Sequence, residues 1–426
     1  MLCSIPSTPA VLQEICRITC CTALLNSPLA TNLIFPSAPR YNDLVNVHYA
    51  TSAPLQPACF FQPESSDQVG LAISLLAEAD GGSSQCQFAI RGGGHAPWKG
   101  AAGVDGGVTI DLALMNTTVH NPDTSSVTIM GGAKWGDVYK ALQPHGVAVT
   151  GGRSDTHGLA CANVLDFEVV LSNGQIIGVN DTSHPDLFRA LKGGGNNLGI
   201  QNRALVTLTS NLVHDLHAQA ITIWNYNANS KSMVVASGLQ HTRGVGDSAI
   251  FREFLDIPQI FSTLRRTDIY DLMMETAPPP GKRTMFLTLT FRNNVRVLEY
   301  LRTLHDESIG AATPRAESSD WDFITFLQPF PSVLGNASRR EENILGLDRM
   351  EGNHILFLLF LAWENYSERV GAGSDYIYMN YAGRDQNPLR GYSEENAQHL
   401  KAIARKYDPT GVFQTQCPGG WKVSSA

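Results

Sequence analysis

Three consecutive glycines lie between an arginine and a histidine, directly after a short apolar stretch. The segment is Arg91, Gly92, Gly93, Gly94 and His95. Glycines permit positive φ and leave the backbone N–H groups uncovered, so successive amides in such a turn form a concave site for anionic oxygens. A diphosphate is the natural ligand, because backbone dipoles can meet its charge in a chain with few cations. An isolated turn of this kind is more often a plain surface turn.

Two further glycine-rich segments favour one extended ligand over a chance turn. One is Gly151-Gly152-Arg153, and the other is residues 192–200, which read KGGGNNLGI. None of the three segments matches the GxGxxG fingerprint of a Rossmann fold or the Gly-Lys-Ser/Thr ending of a P-loop. Three glycine turns in one domain can nevertheless converge on one phosphate-containing ligand.

The elements that would position these turns follow from periodicity and capping signals. Phe88–Ile90 predicts a strand that runs into the first turn, and Val108–Leu112 predicts another. A helix is expected over Trp135–Leu142. Asn173-Gly174 between two apolar runs predicts a β-hairpin.

The chain as a whole predicts an α+β fold with four parts. These are an irregular lead-in (1–40), a glycine-rich half (41–211), a second half (212–375) and a tail (376–426) that returns to the first half. Within the second half, apolar residues alternate with polar ones from Met285 to Arg292, which is typical of a half-buried strand. In the tail, Ser393 is expected to cap a helix that runs through Lys406.

Composition argues against several function classes. The chain has 31 Lys+Arg against 39 Asp+Glu, a net charge of -8, and lacks the basic stripe of a nucleic-acid binder. Its longest apolar run, Ile355–Trp363, is far shorter than the roughly 20 residues that cross a bilayer. The eight cysteines include no Cys-x-x-Cys pair, so a zinc site has little support. We therefore expect no metal, no nucleic-acid partner and no membrane partner.

Other polar groups give weaker signals. Ser154, Asp155 and His157 do not predict a serine hydrolase, because triad members come from separate segments and no GxSxG elbow surrounds Ser154. His214, Asp215 and His217 lack a further metal ligand.

Four short N-x-S/T sequons argue only weakly for secretion, because such sequons often arise by chance. They begin at Asn116, Asn180, Asn336 and Asn365. Polar residues interrupt residues 15–30, so no clean secretory leader is recognised there. The compartment and the oligomeric state stay open.

Several long segments, in the same order, resemble the FAD-linked oxidases of the vanillyl-alcohol-oxidase and berberine-bridge-enzyme type. They read RGGGHAPWKGAAGVDGGVTIDL, GGAKWGDVYKAL, GGR, GLACANVLDFEVVLSNGQII, PDLFRALKGGGNNLGI and YIYMNYAGRDQNPLRGYSEENAQHLKAIARKYDPTGVF. The likeness covers most of residues 41–421. It implies a PCMH-type two-lobed FAD-binding domain, an antiparallel-sheet substrate domain and a berberine-bridge-like tail.

The resemblance also implies roles for individual residues. The segment from Arg91 to Gly94 would hold the FAD diphosphate through backbone N–H groups. His95 falls where the family often links a histidine nitrogen to the flavin 8α carbon, which requires a neutral imidazole. The other cofactor contacts implied are Gly151, Gly152, Gly194, Gly195, Asn197, Gly199, Ile200 and Asn380. Tyr378 or Tyr381 would be the catalytic base, provided that neighbouring groups lower its pKa from about 10.

The implied function is oxidation of a small organic molecule, often in fungal secondary metabolism. Hydride would pass to the flavin, and molecular oxygen would reoxidise it. The resemblance also implies that Cys86 pairs with Cys20 or Cys21 if the protein is secreted.

The chain departs from the family pattern in three places. A long glycine-rich loop is missing after Arg153, and with it the cysteine of doubly linked members, so a second flavin bond is not expected. Ala162 replaces an aspartate, and the segment between Trp363 and Tyr376 is short. An alternative is therefore a degenerate relative that keeps the fold but binds FAD weakly or not at all.

Overall fold

The structure is a computed structural model, and it describes most of the 426-residue chain. The described residues are 20–80, 86–96, 98–151, 153–154, 158–159, 163–192, 202–257, 259, 261–276, 287–315, 321–333, 344–358, 373–379 and 382–423. In this part of the chain, no helix is both long enough and apolar enough to cross a membrane.

A four-stranded sheet forms the base of the first half. Its strands are β1 (Leu33–Ile34), β2 (Cys59–Phe61), β3 (Phe88–Arg91) and β4 (Val108–Asp111), in the order β1-β2-β4-β3. β2 and β3 run parallel to β4, and β1 runs antiparallel to β2. α1 (Tyr41–Val45) and α2 (Ser66–Asp80) precede β3. α2 connects β2 to β3, which run parallel on either side of β4 and therefore need a crossover connection.

We expected the lead-in, residues 1–40, to be irregular, but its described part contains regular structure. β1 lies within it and pairs Leu33 with Phe61 and Ile34 with Phe60. Two disulfides add to this attachment, since Cys20 is bonded to Cys86 and Cys21 to Cys59. The expected bridge to Cys86 is thus present through Cys20. The second bridge was not expected.

The rest of the first half consists of hairpins and short helices. They are β5 (Thr118–Asn121) with β6 (Ser126–Ile129), α3 (Trp135–Leu142), β7 (Arg153–Ser154) with β8 (Gly158–Leu159), β9 (Phe167–Val170) with β10 (Ile176–Val179), and α4 (Pro185–Leu191). The predicted helix α3 is confirmed. So is the hairpin at Asn173-Gly174, where Gly174 adopts a φ of +78°.

The second half is built on a six-stranded antiparallel sheet. Its strands are β11 (Ala218–Asn227), β12 (Ser232–His241), β13 (Thr288–Arg292), β14 (Asp322–Phe330), β15 (His354–Leu358) and β16 (Gly373–Ser374), in the order β12-β11-β14-β15-β13-β16. The accompanying helices are α5 (Asn202–Asn211), α6 (Arg252–Leu255), α7 (Ile269–Thr276) and α8 (Val295–Ala312). α5 and α8 cover one face of the sheet, where Leu205 and Leu298 share a buried cluster with Trp224 and Phe291.

The expectation of a half-buried strand near residue 290 is wrong. Thr288 and Thr290 of β13 are as buried as Leu289 and Phe291. The apolar pair faces the helices. The threonines share the other face with Leu356 and Leu358 of β15, on which Tyr376 and Tyr392 of the tail pack. Gln386 of the tail also bonds the Thr288 backbone, since its Oε1 accepts from the amide at 3.1 Å and its Nε2 donates to the carbonyl at 2.8 Å.

The tail carries two helices, α9 (Glu394–Tyr407) and α10 (Val412–Thr415). Ser393 caps α9 as expected, since its side chain accepts from the amide of Asn396. The Tyr407 hydroxyl donates to Asp186 of α4 at 3.0 Å. Further on, the carbonyl of Gln416 accepts from the Phe88 amide of β3 at 2.9 Å. The tail therefore contacts both halves of the chain.

Candidate functional site

The first glycine turn rests on a buried ionic network at the end of β3. Arg91 is 1% exposed, and its guanidinium pairs with the Asp111 carboxylate of β4 at 3.1 Å. Nη1 of Arg91 also donates to the Leu44 carbonyl at 2.7 Å, while Nε2 of Gln62 donates to Asp111 at 2.7 Å. The side chain of Arg91 thus fixes the turn from below, and only its backbone is placed to meet a ligand.

Close backbone contacts hold the turn against the segment that precedes α3. A Cβ on Gly92 would lie 2.8 Å from the carbonyl oxygen of Gly131, and a Cβ on Gly132 would overlap the carbonyl of Leu112. Gly93 is exposed, with the stem of Lys134 beside it: a Cβ there would lie 3.8 Å from Cγ of Lys134. The turn and the start of α3 therefore form one surface on which larger side chains do not fit.

The second glycine segment reaches the same helix. The Gly151 backbone hydrogen-bonds the phenol of Tyr139, and a Cβ on Gly151 would collide with that hydroxyl and with the Trp135 ring. Burial raises the pKa of the Tyr139 phenol. Two of the three predicted glycine segments are therefore brought together around α3.

His95 is presented on an aromatic support. Its ring stacks on Tyr49 with centroids 4.3 Å apart and planes 6° from parallel. The Tyr49 amide donates to the Gly94 carbonyl at 3.0 Å, which ties the support to the turn. Desolvation lowers the pKa of the His95 imidazole, although part of the ring is open to solvent. The imidazole is thus neutral near pH 7, as a nucleophilic ring nitrogen must be.

His48 lies beneath the turn and is also neutral. Burial and the adjacent Arg91 lower the pKa of His48 to about 4. Because Nη1 of Arg91 is a donor 3.4 Å away, Nε2 of His48 must accept and Nδ1 must carry the proton. That Nδ1 has no hydrogen-bond partner among the described residues.

These features fit the diphosphate and flavin of FAD. The amides of Gly93 and Gly94 donate to no other group in the described part of the chain, and Gly94 has a φ of +67°. Gly93 is exposed and Gly94 is buried, so Gly93 offers its unpaired amide at the surface of the turn, as the concave anion site described above requires. Lys134, whose stem lies against Gly93, is a cation within reach of such a ligand.

Tyr378 lies in a buried cluster on the other face of the six-stranded sheet. The cluster includes Leu356 and Leu358 of β15 together with Tyr376 and Tyr392, and Tyr378 itself is 1% exposed. Trp421 packs on this cluster, and its indole contacts Trp98 with ring centroids 5.6 Å apart. Because Trp98 follows His95 closely in the chain, Trp421 connects the surroundings of the imidazole with the tyrosine cluster.

The other predicted site residues lie outside the described residues. They are Gly152, Gly194, Gly195, Asn197, Gly199, Ile200, Asn380 and Tyr381. Ala162 and the pair Asp155 and His157 also fall there. Within the described ranges, no group of three His, Cys, Asp or Glu residues could hold a metal ion.

Sequence reasoning missed three residues of the site. Tyr49 and His48 gave no local signal, because their partners lie about one β-α-β unit further along the chain. Lys134 could have been found, since it lies in GGAKW, a motif that resembles the family but to which no role was given.

Comparisons with known proteins support an FAD site. Residues 57–150 match the family described as FAD binding domain. The FAD-dependent monooxygenase sdcF of Emericella nidulans is 32% identical over 475 residues, covering 95% of this chain and 98% of that protein. The FAD-dependent monooxygenase drtC of Aspergillus calidoustus is 32% identical over 473 residues, covering 95% and 90%. Both alignments are longer than this 426-residue chain, so each relative has stretches without a counterpart here.

Solved structures show the same fold. 6-Hydroxy-D-nicotine oxidase of Arthrobacter nicotinovorans superposes with a TM-score of 0.65 at 19% identity, covering 92% of this chain and 98% of that one. Glucooligosaccharide oxidase of Acremonium strictum, whose FAD is linked to both a cysteine and a histidine, gives 0.62 at 17% identity, covering 94% and 98%. The 32% identity to sdcF over almost the whole length of both proteins, together with this shared fold, shows that the chain belongs to the FAD-linked oxidoreductases of the vanillyl-alcohol-oxidase and berberine-bridge-enzyme type.

Proposed function

We propose that this FAD-linked oxidoreductase oxidises a small organic molecule of secondary metabolism, with oxygen as the electron acceptor. The observation that carries the proposal is the turn at Gly93 and Gly94, whose amides donate to no other described residue and which lies beside Lys134 and directly before His95. The names of the relatives support the substrate class, because they include monooxygenases of fungi and the bifunctional solanapyrone synthase of Alternaria solani.

The chain's own groups would divide the binding of FAD between them. The amides of Gly93 and Gly94 would bind diphosphate oxygens, and the ammonium group of Lys134 would offset part of their charge. Gly151, held by Tyr139, would let the cofactor approach the backbone. The glycines of residues 193–200 would complete the contacts.

His95 would hold the flavin covalently through a ring nitrogen. Stacking on Tyr49 restricts the imidazole to one plane, and desolvation keeps it neutral. Both effects favour attack by the ring nitrogen, since a protonated imidazole has no free lone pair. Tyr49 is thus proposed as a positioning residue for this linkage.

When bound, FAD supplies a hydride acceptor that oxygen can regenerate. The chain must then remove a proton from the substrate and keep water away. We assign this proton to the side-chain oxygen of Tyr378 or Tyr381, which would have to be in its phenolate form to accept it, with the cluster around Tyr378 excluding solvent. Asn380 would help to close the tail over the flavin ring.

The test is the visible spectrum of the purified full-length protein. We expect a yellow protein whose colour survives acid precipitation. The variant His95→Ala should release its flavin in acid while still binding FAD in the native state. Tyr49→Ala should lower the covalently bound fraction, and Tyr49→Phe should retain it because the stacked ring remains.

The alternative, a degenerate relative, predicts a different result. Such a protein is colourless and gains no thermal stability when FAD is added, whereas a ligand that binds only the folded state raises its melting temperature. A colourless protein without an FAD-induced shift would therefore overturn the proposed function.

A further inference from the structure

The first half of the chain carries two disulfides whose cysteines are fully enclosed. Cys20 and Cys86 have Cα atoms 5.5 Å apart, and Cys21 and Cys59 have Cα atoms 6.2 Å apart, both within the range that a disulfide spans. All four are at most 2% exposed. Adjacent cysteines thus join residues 20–21 to β2 and to the approach to β3. Stable disulfides of this kind form in oxidising compartments such as the secretory pathway.

The same compartment is where asparagines in N-x-S/T sequons receive glycans. Two of the four sequons, at Asn336 and Asn365, begin outside the described residues. Those at Asn116 and Asn180 lie in described loops, and their surroundings differ.

Asn116 is exposed on a loop whose backbone is held in place on both sides. Met115, directly before it, is buried, and its carbonyl accepts from the Gly132 amide at 2.9 Å. The carbonyl of Thr117 accepts from the Met130 amide at 3.0 Å. Among the described residues, no hydrogen bond involves the Asn116 side chain. The folded protein thus leaves room for a bulky group on its nitrogen.

Asn180 is already used within the fold. Its Nδ2 donates to Asp166 at 2.8 Å, and its Oδ1 accepts from the amides of Thr182 and Ser183 at 3.0 and 2.8 Å. The hydroxyl of Thr182, the third sequon residue, donates to the same oxygen. A sugar on this nitrogen would compete with the Asp166 carboxylate for space, which favours Asn116.

We propose that Asn116 carries an N-linked glycan, added while the chain passes through an oxidising secretory compartment. In the reaction, Nδ2 of Asn116 forms a bond to the anomeric carbon of an oligosaccharide carried on a polyprenyl diphosphate. The bond from that carbon to the diphosphate oxygen breaks, Nδ2 loses one proton, and the polyprenyl diphosphate leaves. No electrons are exchanged.

The test uses the full chain expressed in a filamentous fungus and analysed by intact mass before and after peptide-N-glycosidase. We expect the enzyme to lower the mass and to leave an aspartate in place of the asparagine at position 116. Asn116→Gln and Thr118→Val should both reduce the shift by the mass of one glycan, whereas Thr118→Ser should keep it. Thr118→Val is a suitable control, because the Thr118 hydroxyl has no hydrogen-bond partner among the described residues.

Alkylation under denaturing conditions without reductant provides the second measurement. Cys20, Cys21, Cys59 and Cys86 should resist the reagent until a reductant is added. Reactive thiols at these positions would overturn the proposal, as would a glycosidase-sensitive mass that is equally large in Asn116→Gln and in the unmodified chain, or the absence of any such mass in the unmodified chain. Neither measurement depends on FAD, so the glycosylation proposal can fail or succeed independently of the proposed function.

Discussion

The glycine turn at residues 91–95 differs from the cluster around Tyr378 in the groups that it presents to a ligand. The turn offers backbone amides and excludes side chains, since Cβ atoms on Gly92 or Gly132 would meet neighbouring carbonyls. The cluster is made of large side chains, with Tyr376 and Tyr392 packed beside Tyr378.

This difference distinguishes the part of the site that suits a cofactor common to the relatives from the part whose side chains can vary. Backbone amides recognise phosphate oxygens whatever the rest of the ligand is, so the turn suits an invariant cofactor. Side chains on a sheet can be exchanged without moving the backbone, so the cluster is the region where substrate preference can vary. Each prediction below perturbs one of the two regions, or the contacts that hold it.

The largest effect is expected from Arg91→Ala. The substitution leaves the buried Asp111 carboxylate without its cationic partner, and breaking one side of a buried pair typically costs about 3–5 kcal/mol. Urea unfolding should measure this loss. Arg302→Ala, which breaks the exposed pair with Asp306, is the control and should cost about 1 kcal/mol or less. Equal losses of unfolding free energy in Arg91→Ala and Arg302→Ala would show that the network around Arg91 does not hold the turn.

In the cluster around Tyr378, the substitution Tyr378→Phe should leave the fold and the flavin spectrum intact while slowing flavin reduction. A general base typically contributes about 100-fold or more to the rate, and phenylalanine cannot take a proton. Stopped-flow absorbance with a substrate that reduces the flavin would measure the change. Tyr376→Phe, in the same cluster, is the matched control. Reduction at the unmodified rate would assign the proton to Tyr381.

Mild acid should weaken the support of the turn. The pKa of His48 is about 4 in the folded chain, against about 6.5 when unfolded, so the unfolded chain takes up the proton first as the pH falls. Stability from this group is therefore complete above pH 6.5 and is lost progressively towards pH 4, by at most about 3 kcal/mol.

Melting temperatures between pH 7.5 and 4.5 would show this effect. His48→Gln, which keeps an acceptor for Arg91 but does not titrate, should have a shallower pH profile. His305 and His354 contribute in the same direction, because desolvation lowers the pKa of each. If the melting temperature of His48→Gln depended on pH as steeply as that of the unmodified chain, His48 would not be a source of the acid sensitivity.

The smallest effect is expected from Lys134→Ala. An exposed cation beside a phosphate contributes about 1 kcal/mol, or several-fold in affinity, and less at high salt. The measurement is the dissociation constant for FAD in a His95→Ala background, where binding is reversible. Lys140→Ala, within helix α3 that Lys134 directly precedes, removes the same charge, so the affinity of this control variant should stay near that of the background.

Local elements of the site could be predicted from sequence, because their signals are local. The hairpin at Asn173-Gly174 and helix α3 depend on turn chemistry and on spacing within a few residues. Burial of β13 could not be predicted, since the face that carries Thr288 and Thr290 is covered by side chains of the tail. The role of Tyr49 could not be predicted either, because only folding brings the His95 ring beside it. The pairing of Cys21 with Cys59 likewise required knowing which strands are neighbours.

The hydrogen bond between Phe88 and Gln416 has a consequence for how the protein is made. Its donor belongs to the early strand β3, whereas its acceptor lies far later in the chain, after the whole of the six-stranded sheet. The interior around Phe88 also includes Val412, so it stays incomplete while the second half is synthesised. Contacts between distant parts of a chain slow folding and leave apolar surface uncovered in the meantime. Nascent chains should therefore expose the apolar surface around Phe88 until the segment that contains Val412 and Gln416 has been synthesised.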